Sequence, residues 1–98
     1  MGVQMVIELS SRHSAQIVIN AVEIYKTRLK ASIRRTRRKL SDFEHRYNVT
    51  TEHFLSDMAA EDLGGGDLEY VEWAGEDKLL AGLETELRDL ENAHFQLS

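Results

Sequence analysis

The chain contains no cysteine and no proline. Without cysteine there is no disulfide framework and no thiolate nucleophile, a composition that suits a reducing compartment. Without proline, nothing in the sequence forces a helix to stop or kink. No apolar run approaches the roughly 20 residues a membrane span requires, and the apolar start, Val3 to Leu9, is short and lacks a basic leader. A cytoplasmic protein without a membrane partner is the expectation. Glycine is scarce outside one stretch, since four of the six fall at Gly64, Gly65, Gly66 and Gly75.

What is present is charge, unevenly divided. Residues 1–48 hold ten Lys or Arg against four Asp or Glu, and residues 49–98 hold two against thirteen, which leaves the net −5. Halves of +6 and −11 imply two surfaces with different partners, or two halves that attract each other.

The hydrophobic pattern is helical. Ser10 and Ser11 are acceptable caps, and from residue 11 to Tyr47 the residues Val18, Val22, Tyr25, Leu29, Ile33, Thr36, Leu40, Phe43 and Tyr47 recur in steps of three and four. A helix over residues 11–47 would be about 55 Å long at 1.5 Å per residue. Such a rod is expected to need a partner helix from a second copy to cover its stripe, with the extra step of four at Ile33 locally relaxing a supercoil. Asn48-Val49-Thr50 signals a break. Thr50 can cap a short helix over residues 51–62, with Val49 and Phe54 as a hydrophobic staple. Gly64-Gly65-Gly66 reads as a flexible joint. Asp67 to Trp73 reads as an added strand or an irregular hook, followed by a helix over 76–95. There Leu80, Leu83, Leu87, Leu90, His94 and Leu97 keep the three-four spacing of a coiled-coil seam. Residues 3–9 fit a short strand or a lead-in to the long helix.

The expected fold is therefore all-α: a long N-terminal helix, a short middle helix, a glycine joint and an amphipathic C-terminal helix, assembled as an oligomeric bundle or coiled coil. Three regions follow: a basic dimerisation region over 1–63, a linker at 64–66, and an acidic partner-binding arm over 67–98.

Two surfaces carry functional readings. Arg28, Arg34, Arg35, Arg37, Arg38 and Lys39 wrap the long helix outside its apolar stripe, and such a rod can neutralise phosphates. The plainer alternative is a solvated face neutralised by the acidic half. In the C-terminal segment, Leu68, Tyr70, Val71, Trp73, Leu80, Leu83, Leu87 and Leu90 form an apolar stripe among acids. That stripe either folds back on the chain's own core or lies in a partner's groove, with Trp73 and Tyr70 as anchors. His53 and Asp57, one turn apart, could hold one edge of a metal site, but His13, His45 and His94 do not complete it. No metal or cofactor is expected. Catalysis has little support either: there is no HExxH and no phosphate loop, and the glycine run is followed by acids.

The segment Asp67-Leu68-Glu69-Tyr70-Val71-Glu72-Trp73-Ala74-Gly75-Glu76, behind a basic N-terminal half and a glycine joint, resembles the C-terminal portion of small antitoxins of prokaryotic type II toxin–antitoxin pairs. The resemblance covers about a third of the chain. It implies an acidic arm that covers a basic toxin, often a ribonuclease, and an N-terminal part that dimerises and binds operator DNA. The long basic helix departs from the ribbon-helix-helix or looped-hinge folds of many antitoxins. The expected function is a non-enzymatic, antitoxin-like regulatory module that pairs with itself, with a basic protein such as a toxin, and with nucleic acid. The alternative is a homo-oligomeric structural assembly held by its opposite-charge halves and a coiled-coil seam.

Overall fold

The computed structural model describes residues 5–64 and 66–97. In chain order these form strand β1 (Val6–Leu9), helix α1 (Arg12–Tyr47), helix α2 (Thr51–Asp57), a 3-10 turn (Ala60–Leu63), helix α3 (Asp67–Glu91) and strand β2 (His94–Leu97). The fold is all-α apart from one strand pair among the described residues. No described helix is long and apolar enough to cross a membrane.

Local chemistry sets the helix ends. Ser11 caps α1, its hydroxyl accepting the Ser14 amide at 3.1 Å. At the other end Asn48 takes a left-handed φ of 54°, and the Val49 amide reaches back to the Glu44 carbonyl at 3.2 Å. That reach closes a Schellman-type cap. Thr50 caps α2 by accepting the His53 amide at 3.1 Å, while the Glu44 carboxylate accepts the Thr51 amide at 2.7 Å. Val49 and Phe54 both join the core, as a hydrophobic staple requires. The helix after Thr50 is shorter than its sequence pattern indicated, giving way to the 3-10 turn Ala60–Leu63.

Gly64 adopts a left-handed φ of 65°, a conformation glycine reaches without a Cβ penalty. Gly65 lies outside the described residues, and Gly66 immediately precedes α3, its carbonyl accepting the Tyr70 amide at 2.9 Å. The segment Asp67 to Trp73 is therefore helical, and the expectation of a strand or hook there is corrected. Asp67 and Glu69 in the first turn complement the helix dipole. Helical spacing also turns Tyr70, Trp73, Ala74 and Leu80 toward the core.

The chain divides into two units, Ile33–Gly82, and Met1–Ser32 with Leu83–Ser98. In the Ile33–Gly82 unit the core comprises Leu40, Phe43, Phe54, Leu63 and Trp73, with Tyr47, Val49, Met58, Tyr70, Ala74 and Leu80 packed around it. In the other unit β1 and β2 pair in parallel, Val6 opposite His94 and Leu9 opposite Leu97, and the His94 amide meets the Met5 carbonyl at 2.6 Å. The helical seam expected to run on to His94 and Leu97 thus ends at Glu91, because strand pairing with β1 claims the residues beyond it. Of the segment read as strand or lead-in, Val6–Leu9 is strand, and residues 3 and 4 lie outside the described residues.

The α1 stripe is covered unevenly within the single chain, with Val18, Val22 and Tyr47 half-buried and Tyr25 exposed. Leu29, Ile33, Thr36, Leu40 and Phe43 are buried in the single chain.

Candidate binding faces of the Ile33–Gly82 unit

The aromatic cluster fixes the faces around it. Trp73 and Phe54 are each 0% exposed, stacked with ring centroids 3.9 Å apart and planes within 5°. Phe43 stacks on Trp73 at 5.3 Å, and Tyr70 meets Phe54 edge-on at 4.9 Å. The indole N–H donates to the Thr51 hydroxyl at 2.9 Å, which satisfies a donor that would be costly to bury alone. Ion pairs run along the rim. Lys39 meets Glu76 at 3.2 Å, and Arg46 and the Tyr47 hydroxyl both reach Glu69. These rim pairs are partly exposed, so each contributes at most about 1 kcal/mol.

This packing assigns the apolar residues of α3 to different places. Trp73 is spent entirely on the core and presents no surface to a partner. Tyr70 and Leu80 are half-buried against the same cluster. Leu83, Leu87 and Leu90, in the other unit, are half-buried. Of the eight residues expected to bind a partner, Leu68 and Val71 point outward, at 86% and 67% exposure.

Leu68 and Val71 are joined on the outward side of α3 by Gly75, Leu79 and Gly82, in steps of three, four, four and three. Leu79 is 49% exposed. A Cβ at Gly75 or Gly82 would meet nothing within 4 Å, and neither glycine has a positive φ. Nothing among the described residues calls for glycine at either position, although each costs a helix interior about 1 kcal/mol relative to alanine. The spacing of this row is visible in the sequence. It is missed there because reading residues 67–73 as extended separates Leu68 and Val71 from Gly75, Leu79 and Gly82.

The outward side of α1 is basic. Arg34, Arg35, Arg37, Arg38 and Lys39 are exposed, while Thr36 among them is buried at 3% exposure. Arg34 and Arg38, one helical turn apart, have no ion-pair partner among the described residues, whereas Arg35 and Arg37 have interaction partners within the chain. Arg28, also exposed, belongs to the other unit.

Shallow hollows open on the described surface of the unit. One of about 110 Å³ is lined by Lys39, Asp42, Phe43, Arg46 and Glu72. Another, of about 300 Å³, is lined by Glu44, His45, Asn48, Val49 and Thr50. His53 pairs with Asp57 at 3.1 Å, and no group of three metal-ligating side chains occurs among the described residues. In the other unit the Tyr25 hydroxyl donates to the Glu86 carboxylate. That hydrogen bond, then desolvation, then the negative charge of Glu86, raise the phenol above its ordinary value. The chain matches no known family model, no curated protein and no solved structure.

Proposed function

We propose that the protein is a non-enzymatic, antitoxin-like regulatory binding module whose α1 helix grips the phosphate backbone of nucleic acid. The observation that carries this reading is the pair Arg34 and Arg38, exposed on one side of α1 with no acidic partner among the described residues and flanked by Arg35, Arg37 and Lys39. Guanidinium groups on a rigid helix bind phosphates by releasing condensed counterions, which gives salt-dependent affinity with little sequence preference.

The protein-binding half of an antitoxin plan has less support. Its aromatic anchor Trp73 is inside the core, and Glu69 and Glu76 are taken by Arg46 and Lys39. Asp67, Glu72, Leu68 and Val71 remain for a basic partner. The alternative of a self-assembling structural protein held by charge loses the same acids, because those two ion pairs form within one chain.

Fluorescence anisotropy with a labelled DNA duplex, repeated across a salt series, tests the proposal. Arg34→Ala with Arg38→Ala should weaken binding and lower the slope of log affinity against log salt by about two, one for each lost phosphate contact. Unchanged affinity and slope in the double variant would sink the assignment of this face.

A further inference from the structure

We propose that the hollow lined by Glu44, His45, Asn48, Val49 and Thr50 takes one unstacked base of a single-stranded nucleic acid whose phosphates lie on Arg34 and Arg38. The inference rests on the phosphate-binding reading of α1 and names the class of nucleic acid that this face fits.

The hollow continues the arginine row. Arg34, Arg38, Ser41 and His45 follow one another along the outward side of α1 in steps of four, three and four. Arg37, Ser41, Glu44 and Asn48 run beside them with the same spacing. All of these residues lie in the Ile33–Gly82 unit. From Arg38 to His45 is about 10 Å of helix. At about 3.4 Å per nucleotide in a stacked strand, a chain held at the arginines reaches the hollow within a few nucleotides.

The chemistry changes along the way. No Lys or Arg lines the hollow and Glu44 is an acid, so the phosphate site does not extend into it. What lines it suits a base. Glu44 Oε2 accepts the Thr51 amide at 2.7 Å, which fixes the carboxylate and leaves Oε1 to accept an N–H from a base edge. The Asn48 carboxamide, both donor and acceptor, has no hydrogen-bond partner among the described residues. The left-handed φ of 54° holds that residue at the end of α1. His45 supplies a ring. Its Nδ1–H donates to the Ser41 carbonyl at 2.7 Å, tying the exposed imidazole to the helix. A ring held in place is a surface for stacking, the contact through which proteins take unpaired bases. Half-buried Val49 adds an apolar wall. In a duplex the base edges are paired and the faces stacked, so a base must leave the stack to enter.

Fluorescence anisotropy at about pH 8, above the range in which imidazoles change charge, tests the assignment with three labelled ligands. They are a mixed-sequence strand of about ten nucleotides, the same strand annealed to its complement, and an abasic strand of equal length. The natural strand should bind at least about tenfold tighter than the other two at equal salt. His45→Ala and, separately, Asn48→Gly should bring it close to the abasic strand without changing the salt slope, since neither removes a cation. Both positions are exposed, and glycine keeps the left-handed turn at position 48, so the helical circular dichroism should stay unchanged. Arg34→Ala with Arg38→Ala should weaken all three ligands. Equal affinity for the three, still controlled by the arginine pair, would overturn the base site and leave the phosphate reading standing. Tighter binding of the duplex, or variants at His45 and Asn48 that lose the abasic strand equally, would overturn the base site as well. Binding of none of the three would overturn both readings.

Discussion

The same helical stripe meets two fates. Along α1 the apolar residues repeat in steps of three and four from Val18 to Tyr47. In the Ile33–Gly82 unit Ile33, Thr36, Leu40 and Phe43 are all buried, whereas of Val18, Val22, Tyr25 and Leu29 in the other unit only Leu29 is. Periodicity alone does not decide burial. What differs is the cover: five of the seven aromatic residues, Phe43, Tyr47, Phe54, Tyr70 and Trp73, lie in the Ile33–Gly82 unit. Stacked rings combine large buried area with specific geometry, and α2 brings Phe54 to close the cluster.

The most forceful way to break this contrast is to remove its centre. Trp73→Ala should cost about 3–5 kcal/mol in a urea titration, the range for deleting a large buried aromatic. Leu87→Ala, at a half-buried position in the other unit, should cost less than half of that. Equal losses would show that the aromatic cluster is not where stability is concentrated. A finer cut takes only the indole's partner. Thr51→Val keeps the shape but orphans the buried N–H, at an expected cost of about 1–3 kcal/mol, and Thr51→Ser should restore most of it. A neutral Thr51→Val would mean that the hydrogen bond at 2.9 Å contributes nothing net.

Much of this architecture is legible from residues alone, for reasons that also mark the limits. Ser11, Asn48 and Thr50 are local signals, read from side chains that complete backbone hydrogen bonds within a few positions, and the bounds of α1 follow from them. The spacing of Leu80, Leu83 and Leu87 likewise indicates a helix. Asp67 to Trp73 is harder, because its apolar residues divide between two faces. Tyr70 and Trp73 turn inward and Leu68 and Val71 outward, so no single stripe announces a helix. Only the positions of Phe43 and Phe54, distant in sequence, fix which aromatic residues become core. The same non-locality hides β2, whose helix-like spacing is overridden by pairing with β1 at the opposite end of the chain. On the site, the exposed arginines are readable as a basic stretch. That Glu69 and Glu76 are already engaged by Arg46 and Lys39 is not readable, since those ion pairs join α1 to α3 across long separations in sequence.

The glycines of α3 sharpen the comparison from the surface side. Gly82→Ala should raise stability by about 1 kcal/mol, because alanine favours the helix and its Cβ meets open space. Gly64→Ala should do the reverse, since that position holds a φ of 65° that alanine adopts only with strain. If Gly82→Ala were destabilising, a neighbour that crowds this face within the chain would have to be sought.

The smallest expected effect lies in the unit without the aromatic cluster and appears only at alkaline pH. The Tyr25 phenol is held above its ordinary value near 10, first by the hydrogen bond it donates to Glu86, with desolvation and the carboxylate charge acting in the same direction. Folding therefore favours the protonated phenol. The associated stability is fully present below the unfolded value and disappears as pH rises through the raised folded value, because the phenolate cannot donate and is repelled by the carboxylate. The group is open to solvent, so the contribution is minor and should shrink further in salt. Tyr25→Phe removes both the donor and the titration. Its unfolding midpoint should fall slightly at neutral pH and then lose less than the parent between about pH 9 and 11. Parallel curves for the two chains across that interval would mean that the tie between Tyr25 and Glu86 is not maintained in solution.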